Sequence, residues 1–325
     1  MRGLGRELQT VGSIGLPMNK RIPPTEKEVL GYANRCSNWG RWGVDDQSGT
    51  LNLVTEEKRR QAAGLVEDGM SVSCSWTISR DLPGETMSQV LHYMTETGEA
   101  GPDAEESGDF LGVAYHGNSI THVDALCHIF TGGRMYNGFP ANLVKSGTGA
   151  EAESIELMAQ GLVSRGVLLD IPRLRGVQWL SGPEPVFPDE LEEAEKAQGV
   201  RVESGDVLLI RTGHLARCYA GELSASDDPR PGPHASCIPW WRERDIAMLG
   251  GDQSNEVWPS GYPGLRSPNH SIAIPHLGLW LIDNANLEDL SEACARRNRW
   301  EFMMVIAPLR FHNATGSPAN PLAIF

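Results

Sequence analysis

The stretch RGVLLDIPRLRGVQWLSGPEPVFPDELEEAEKAQGVRVESGDVLLIRTG, residues 165–213, decides the fold. Its two ends, RGVLLDI (165–171) and GDVLLIRTG (205–213), are short apolar and β-branched runs typical of buried strands. Between them, PDELEEAEKAQG (188–199) predicts a helix that Gly199 closes. Because a strand–helix–strand unit favours a sheet covered by helices, the sequence predicts an α/β fold with a mixed sheet.

The regions on either side of this unit extend the same pattern. TEEKRRQAAGLVED (55–68) predicts a helix with Thr55 as its cap and Gly69 just past its end. Further predicted elements are a strand in LGLWLIDN (277–284), a helix in LEDLSEACARRN (287–298) and a final strand in FMMVIAPLRF (302–311).

Two long stretches do not show such periodicity. Residues 83–110 are rich in Gly, Glu and Ser, so we expect a loop or lid there. Residues 1–35 are interpreted as an N-terminal arm, and residues 36–325 as a single domain without an internal repeat or linker.

The composition of the chain restricts the classes of molecule that it is expected to bind. The formal net charge is -14 and no cluster of Lys or Arg interrupts it, so binding to nucleic acid or to an anionic membrane is not expected. The first residues, MRGLGRELQTVGSIGLP, lack the apolar core of a signal peptide, and no segment is long enough to span a membrane. The six widely spaced cysteines favour reduced thiols and a cytoplasmic location.

Histidines concentrate in the segment HGNSITHVDALCH (116–128). In an extended segment His122 and Asp124 point to the same side, because side chains alternate. An imidazole and a carboxylate at this spacing form a compact chelate for Zn²⁺, or for Mn²⁺. His128 follows about one helical turn later, and His116 precedes, so both are candidate ligands. The alternative is that each histidine only packs or hydrogen-bonds.

Other candidates concern substrate binding. His214 and His234 follow predicted strand ends, where α/β proteins often place their sites. Trp39 and Trp42 either anchor the arm on the core or form a flat wall for a ring-containing small molecule. No G-x-G-x-x-G, P-loop, G-x-S-x-G or H-E-x-x-H motif is present, which argues against the common nucleotide-binding and serine-hydrolase classes.

The run THVDALCH resembles the signature H-x-G-T-H-x-D-x-P-x-H of the cyclase family of metal-dependent hydrolases, which includes kynurenine formamidase and isatin hydrolase. Thr121, His122, Asp124 and His128 match its later positions in register. Resemblance extends through most of the chain from about residue 35, as in NWGRWGVDDQSGTLNL (38–53). It implies a swivelling β/β/α domain, a divalent metal, hydrolysis of small amides, lactams or lactones, and a homo-oligomer.

The chain departs from this signature at one ligand. The family's first metal-binding histidine falls on Asn118, so either Asn118 or the nearby His116 completes the site, and one metal is expected rather than two. His270 and Asp283 resemble the family's later His…Glu pair. The resemblance thus implies that His122 and Asp124 hold the metal, while His128 is either a ligand or the group that carries the proton.

Two other functions remain open at this stage. His122, Asp124 and His270 would also make the 2-His-1-carboxylate triad of a non-haem Fe(II) oxygenase. Alternatively, Asn118 marks a degenerate metal site in a non-catalytic binding protein.

Overall fold

A computed structural model describes residues 21–79, 90–222 and 229–325. The helices in these ranges are α1 (Glu26–Leu30), α2 (Tyr32–Arg35), α3 (Glu56–Ala63), α4 (Ile171–Arg175), α5 (Pro188–Gln198), α6 (His214–Tyr219), α7 (Ile238–Arg244), α8 (Pro268–Ile272) and α9 (Glu288–Arg297). The strands are β1 (Ser71–Ser73), β2 (Val90–Glu96), β3 (Gly108–Val113), β4 (His122–Asp124), β5 (Val144–Lys145), β6 (Gly149–Ala150), β7 (Leu162–Asp170), β8 (Pro185–Val186), β9 (Val207–Arg211), β10 (Gly232–Pro233), β11 (Met248–Gly251), β12 (Trp280–Asp283), β13 (Glu301–Ile306), β14 (Gly316–Pro318) and β15 (Leu322–Ile324).

Nine of these strands form one mixed sheet in the order β1-β15-β13-β7-β9-β11-β12-β4-β14. The central strands β7, β9, β11 and β12 are parallel, and the flanking strands pair antiparallel. Strands β9, β11 and β12 are buried along their whole length, as expected for parallel strands covered on both faces. The predicted α/β fold with a mixed sheet is therefore confirmed.

The strand–helix–strand unit forms as predicted, with β7 and β9 parallel and α5 between them in sequence. Gly199 closes α5 in the left-handed conformation. Charged side chains at the strand ends hold the unit together: Arg165 reaches Asp206 at 2.7 Å, and Arg211 reaches Asp170 at 3.0 Å. Because all four side chains are nearly or fully buried, these pairs help to fix how the neighbouring strands align.

Some predicted boundaries are wrong. Helix α3 begins after Thr55 as expected but ends at Ala63, before Gly64. Gly69, at a positive φ, instead turns the chain into β1, and its N–H donates to the Phe325 carbonyl. The last predicted strand ends at Ile306, and two more strands, β14 and β15, follow it.

The expected loop at residues 83–110 is also wrong over much of its length, because β2 and β3 form an antiparallel hairpin. Residues 83–89, the first part of that stretch, lie outside the described residues. Of the predicted arm, residues 1–20 lie outside as well, and residues 21–35 include α1 and α2. Val29 and Tyr32 are buried in the main core, so this part packs on the domain.

Among the described residues, no helix is long and apolar enough to cross a membrane. All six cysteines are buried and free, in agreement with the expected reduced thiols.

Glu153 is an acidic side chain buried in the core. It is only 1% exposed, and no side chain among the described residues donates a hydrogen bond to its carboxylate. Burial, together with the charge of Asp46, raises the pKa of Glu153 from 4.5 to about 9. Glu153 is therefore protonated in the folded protein at neutral pH.

This raised pKa makes stability depend on pH. At a pH between 4.5, the pKa of Glu153 in the unfolded chain, and about 9, its pKa in the folded protein, the native state binds more protons than the unfolded state. The contribution of Glu153 to the free energy of unfolding is therefore lost as the pH rises towards 9. Glu153→Gln removes the titration, and we expect it to be more stable than the wild type by at least about 1 kcal/mol at pH 8 but not at pH 4. Urea unfolding at both pH values measures this, with the exposed Glu57→Gln as control. An equal effect at both pH values would contradict the assignment.

Candidate metal centre

The strand β4 carries the predicted chelate. It is buried between β12 and β14 at one side of the sheet, and its register sets His122 opposite Asp283 and Asp124 opposite Leu281. His122 Nε2 lies 3.3 Å from Asp124 Oδ1, so the two side chains share a face as their spacing predicts.

Two groups of donors meet at Asp124. The first is His116, His122 and Asp124, and the second is Asp124, His270 and Asp283. Within each group, one ligand atom from every residue lies within 4.8 Å of the others. His116 Nδ1 is 2.9 Å from Asp124 Oδ1, and His270 Nε2 is 3.8 Å from Asp124 Oδ2. One carboxylate therefore bridges two overlapping donor sets, whereas the sequence had favoured a single metal.

Each donor around Asp124 is oriented by a second contact. The Nδ1–H of His122 donates to the Ile120 carbonyl at 2.7 Å, which leaves the Nε2 atom directed at the Asp124 carboxylate. The Nδ1 of His270 lies 3.1 Å from Glu256 Oε1. Such contacts fix the tautomer and ring orientation of metal-binding histidines.

The two remaining donors are held in the same way. His116 Nε2 lies 3.0 Å from Thr315 Oγ1, and Asp283 Oδ1 accepts a hydrogen bond of 2.6 Å from the Asn255 amide. In each case the other donor atom, Nδ1 of His116 or Oδ2 of Asp283, remains turned toward the centre.

The Asp124 carboxylate shows that the donors fit a cation. The side chain is 1% exposed, and imidazole nitrogens of His116, His122 and His270 face its oxygens. No backbone amide or other side chain of the described residues donates to it. A buried carboxylate is costly unless a positive charge compensates it. A divalent ion coordinated by these atoms meets that need.

In the metal-free protein, protons on neighbouring histidines balance the negative charge of Asp124. Burial alone would lower the pKa of His122, but the charge and contact of Asp124 raise it to about 9. Burial opposes the ionisation of Asp124, yet His128 and His122 hold its pKa well below 3.8. The pKa of His270 is raised well above 6.5, despite burial, by Asp283 and Glu256. A bound cation would take the place of these imidazole protons.

His128 differs from the other histidines of the cluster. It ends the short 3-10 turn Leu126–His128, and its ring stacks on His116 at 3.8 Å between ring centres. Its Nε2 is 3.9 Å from Asp124 Oδ1, farther than the Nε2 of His122. Burial lowers the pKa of His128 to about 4, so the imidazole is neutral at neutral pH.

A cavity of about 610 Å³ opens beside these donors. Its lining includes three histidines of the centre together with Asn118, two arginines and one tryptophan: His116, Gly117, Asn118, His128, Ile129, Arg230, Ser254, Glu256, Trp258, Arg266, Ser267 and His270. This size is ordinary for a small-molecule site, so the donors lie where a small substrate has room.

Four predicted substrate-binding residues lie outside this lining. Trp39 stacks on His276, and Trp42 packs under Arg41. His214 stacks on Trp76, and its N–H donates to Asp252. His234 contacts Phe187 and Tyr262. The structure thus gives each of the four a packing role, and contact with a substrate remains only a prediction for them.

Sequence reasoning missed Glu256, Asn255, Arg230, Trp258 and Arg266. Glu256 and Asn255 follow β11 in the run GGDQSNEVW (250–258). Asp252, in the same run, accepts hydrogen bonds from the backbone of Thr212 and His214. Polar residues after a buried strand are the only sequence signal for this group.

Comparisons with known proteins agree with this architecture. A family model described as "Putative cyclase" matches residues 72–255. The crystal structure of a "novel cyclase" shares 30% identity, with 90% of this chain and 99% of that chain covered and a TM-score of 0.83. Isatin hydrolase A from Ralstonia solanacearum shares the fold at 21% identity, with 81% and 93% covered and a TM-score of 0.58. No curated protein matches the sequence.

The bridging position of Asp124 predicts that its charge is needed for metal retention. Asp124→Asn keeps the volume but replaces an anionic ligand by a neutral amide, so bound metal should fall at least about tenfold. Elemental analysis after purification without added metal measures this, with Asp109→Asn, an exposed carboxylate, as control. Full metal content in the Asp124 variant, with an intact circular dichroism spectrum, would refute the assignment.

The geometry also distinguishes His116 from Asn118. Since His116 Nδ1 approaches Asp124 to 2.9 Å, we expect His116→Ala to lose metal and Asn118→Ala to retain it. Titration of both metal-free variants with Zn²⁺ gives the affinities. The opposite order would mean that Asn118 completes the site.

Proposed function

This chain belongs to the cyclase family, and on that basis we propose that it is a metal-dependent hydrolase that opens or cleaves a small amide, lactam or lactone. The observation that carries the proposal is the buried Asp124 carboxylate, which faces imidazole nitrogens at the wall of a cavity. The likeness to isatin hydrolase supports a ring-containing substrate.

The donor set suits Zn²⁺, with Mn²⁺ as the second choice. Imidazole nitrogens and carboxylate oxygens are the ligands that both ions accept. His116, His122, Asp124, His270 and Asp283 would hold the ion. When bound there, it would supply Lewis-acid chemistry and an acidified water for attack on a carbonyl.

His128 is the group we assign to proton transfer. Its neutral imidazole lines the cavity and lies next to the donors, at 3.9 Å from Asp124 Oδ1. A neutral imidazole accepts a proton from the attacking water and then returns it to the leaving nitrogen or oxygen. Glu256 keeps the His270 ring in place and does not itself need to react.

The cavity wall matches the expected product. Addition of water to an amide, lactam or lactone yields a carboxylate together with an amine or an alcohol. Arg230 and Arg266 lie on the wall of the cavity, where their charges favour a carboxylate. Trp258, also in the lining, offers an aromatic face for a ring, the role that the sequence had given to Trp39 and Trp42.

A substrate panel tests the reaction class. Metal-loaded protein is assayed without oxygen against lactones, formamides, cyclic imides and lactams. We expect turnover of at least one member, with loss of activity on chelation and recovery on adding Zn²⁺ or Mn²⁺. Turnover that requires oxygen would favour the Fe(II) oxygenase, and absence of metal after purification would favour the binding protein.

The substrate found in this way also tests His128. His128→Ala should lower kcat by roughly 10²–10⁴-fold while metal content and KM change little, because a proton carrier acts in the transition state. His276→Ala, which changes a histidine outside the cavity lining, is the matched control. Loss of metal together with activity in the His128 variant would make it a ligand instead.

A further inference from the structure

Four buried polar side chains near the metal centre have unsatisfied hydrogen-bonding atoms. Ser119, His214 and Gln253 are each 1% exposed, and Trp76 is 4% exposed. The Ser119 hydroxyl, both ring nitrogens of His214, both amide atoms of Gln253 and the Trp76 Nε1 have no partner among the described residues. We call these four residues the polar cluster. Because buried polar groups are nearly always hydrogen-bonded, such a concentration of unpaired atoms points to a ligand.

Trp76 and His214 form one side of the polar cluster. Their rings stack with 6.0 Å between the ring centres. The Trp76 N–H donates to the Thr121 hydroxyl at 2.9 Å, and that hydroxyl donates to the Asn284 carbonyl at 2.5 Å. Trp76 is thus tied to Asn284, the residue that follows the candidate ligand Asp283.

Ser119 and Gln253 form the other side, and Asn284 holds them as well. The Asn284 N–H donates to the Gln253 carbonyl at 3.1 Å. Its side-chain amide donates to the Gly117 and Ile120 carbonyls at 2.7 and 3.1 Å, on either side of Ser119. These contacts hold the segments close together, but they leave the side chains of Ser119 and Gln253 without partners.

The charge around the polar cluster is positive. Arg217 lies on α6 one turn after His214, and its Nη1 is buried without a partner among the described residues. Burial, with the charges of Arg230 and Arg217, lowers the pKa of His214 to about 3, so its imidazole is neutral at neutral pH. Asp252, which is buried nearby, already accepts hydrogen bonds from backbone N–H groups at the start of α6.

The unpaired atoms of the polar cluster are mostly donors. An indole and a guanidinium can only donate, a hydroxyl and a carboxamide can donate, and a neutral imidazole donates through one nitrogen. Such donors, away from water and close to positive charge, favour a carboxylate, because it accepts several hydrogen bonds and forms stronger ones than a neutral group does. The chemistry of the cluster therefore indicates an anionic ligand.

The polar cluster can be reached from the cavity of the metal centre. The lining of that cavity includes Asn118 and Ser254, the chain neighbours of Ser119 and Gln253. It also includes Arg230, whose charge acts on the polar cluster. A molecule in the cavity therefore has the cluster on one side and the metal donors on another.

We propose that the polar cluster binds a carboxylate group of the substrate, so that the substrate is an anionic amide, lactam or lactone. The description of this molecule as a substrate rests on the proposed function, whereas binding of a carboxylate at the cluster does not. A charge held there would orient the molecule in the cavity, because binding energy at a remote group serves to position the reacting carbonyl.

Calorimetry with a carboxylate probe tests the proposal. Metal-loaded protein is titrated with para-bromobenzoate and with para-bromobenzyl alcohol, which carries the same ring without the charge. The anion should bind more tightly than the alcohol. Gln253→Leu and Ser119→Ala should each weaken its binding by at least about tenfold, because each removes a hydrogen bond to a charged group.

Gln61→Leu, at an exposed glutamine of α3, is the matched control and should bind the anion as the wild type does. The metal content of every variant is measured, so that loss of the metal is not mistaken for loss of the carboxylate site. Equal affinity of Gln253→Leu and the wild type, or no binding of the anion to the wild type, would overturn the proposal.

Thermal unfolding of the free protein separates a binding role from a structural one. If the unpaired atoms of Gln253 serve a ligand, Gln253→Leu removes buried polar atoms that stabilise nothing in its absence. The midpoint of unfolding should then stay the same or rise. A lower midpoint would mean that buried water joins these atoms into the fold, and it would count against the proposal.

The anomalous signal of bromine in a crystal locates the probe. We expect its carboxylate within hydrogen-bond distance of Ser119, His214 or Gln253. A probe that binds only at the metal donors would contradict the assignment. A protein that binds the probe at the polar cluster but turns over no member of the substrate panel would keep the carboxylate site and reject the hydrolase.

Discussion

The carboxylate of Asp124 is the group on which the arrangement of this protein depends. It lies in the sheet interior, 1% exposed, so its charge must be balanced by neighbouring groups or by a bound cation. His116, His122 and His270 surround it and supply that balance. Each is turned toward Asp124 by a contact on its far nitrogen. The buried charge is thereby surrounded by nitrogen and oxygen atoms of the kind that a divalent ion accepts.

The sheet holds these donors in place because it is continuous from its parallel centre to β4. Strand β12 pairs with β11 on one side and with β4 on the other, so Asp283 is held opposite His122 by backbone hydrogen bonds. The helix α8, which carries His270, is attached through Asn269, whose amide donates to the carbonyls of Pro233 and Asn255. Candidate ligands from distant parts of the sequence are thus fixed by rigid elements, as a preorganised site requires.

The metal centre and the hairpin share one region of the molecule. Strand β14, at the edge of the sheet, is next to β4 and receives the Tyr115 hydroxyl at the base of the hairpin. Edge strands and exposed hairpins tend to associate with other chains. In this protein the segment between the hairpin and β4 carries His116, whose Nδ1 lies 2.9 Å from Asp124 Oδ1.

Local sequence determined the elements whose signals are short-range. The apolar runs of β7 and β9, the helix α5 and the alternation of His122 and Asp124 are each specified by neighbouring residues, and each was predicted. The family signature added His270 and Asp283, which no local spacing links to Asp124. Tertiary structure alone placed Glu256 behind His270 and set Trp258 rather than Trp39 at the cavity. It also made residues 90–113 a hairpin, where composition had indicated a loop. The physical reason is that burial, pairing partners and the direction of a side chain depend on contacts between residues far apart in sequence, which local patterns do not encode.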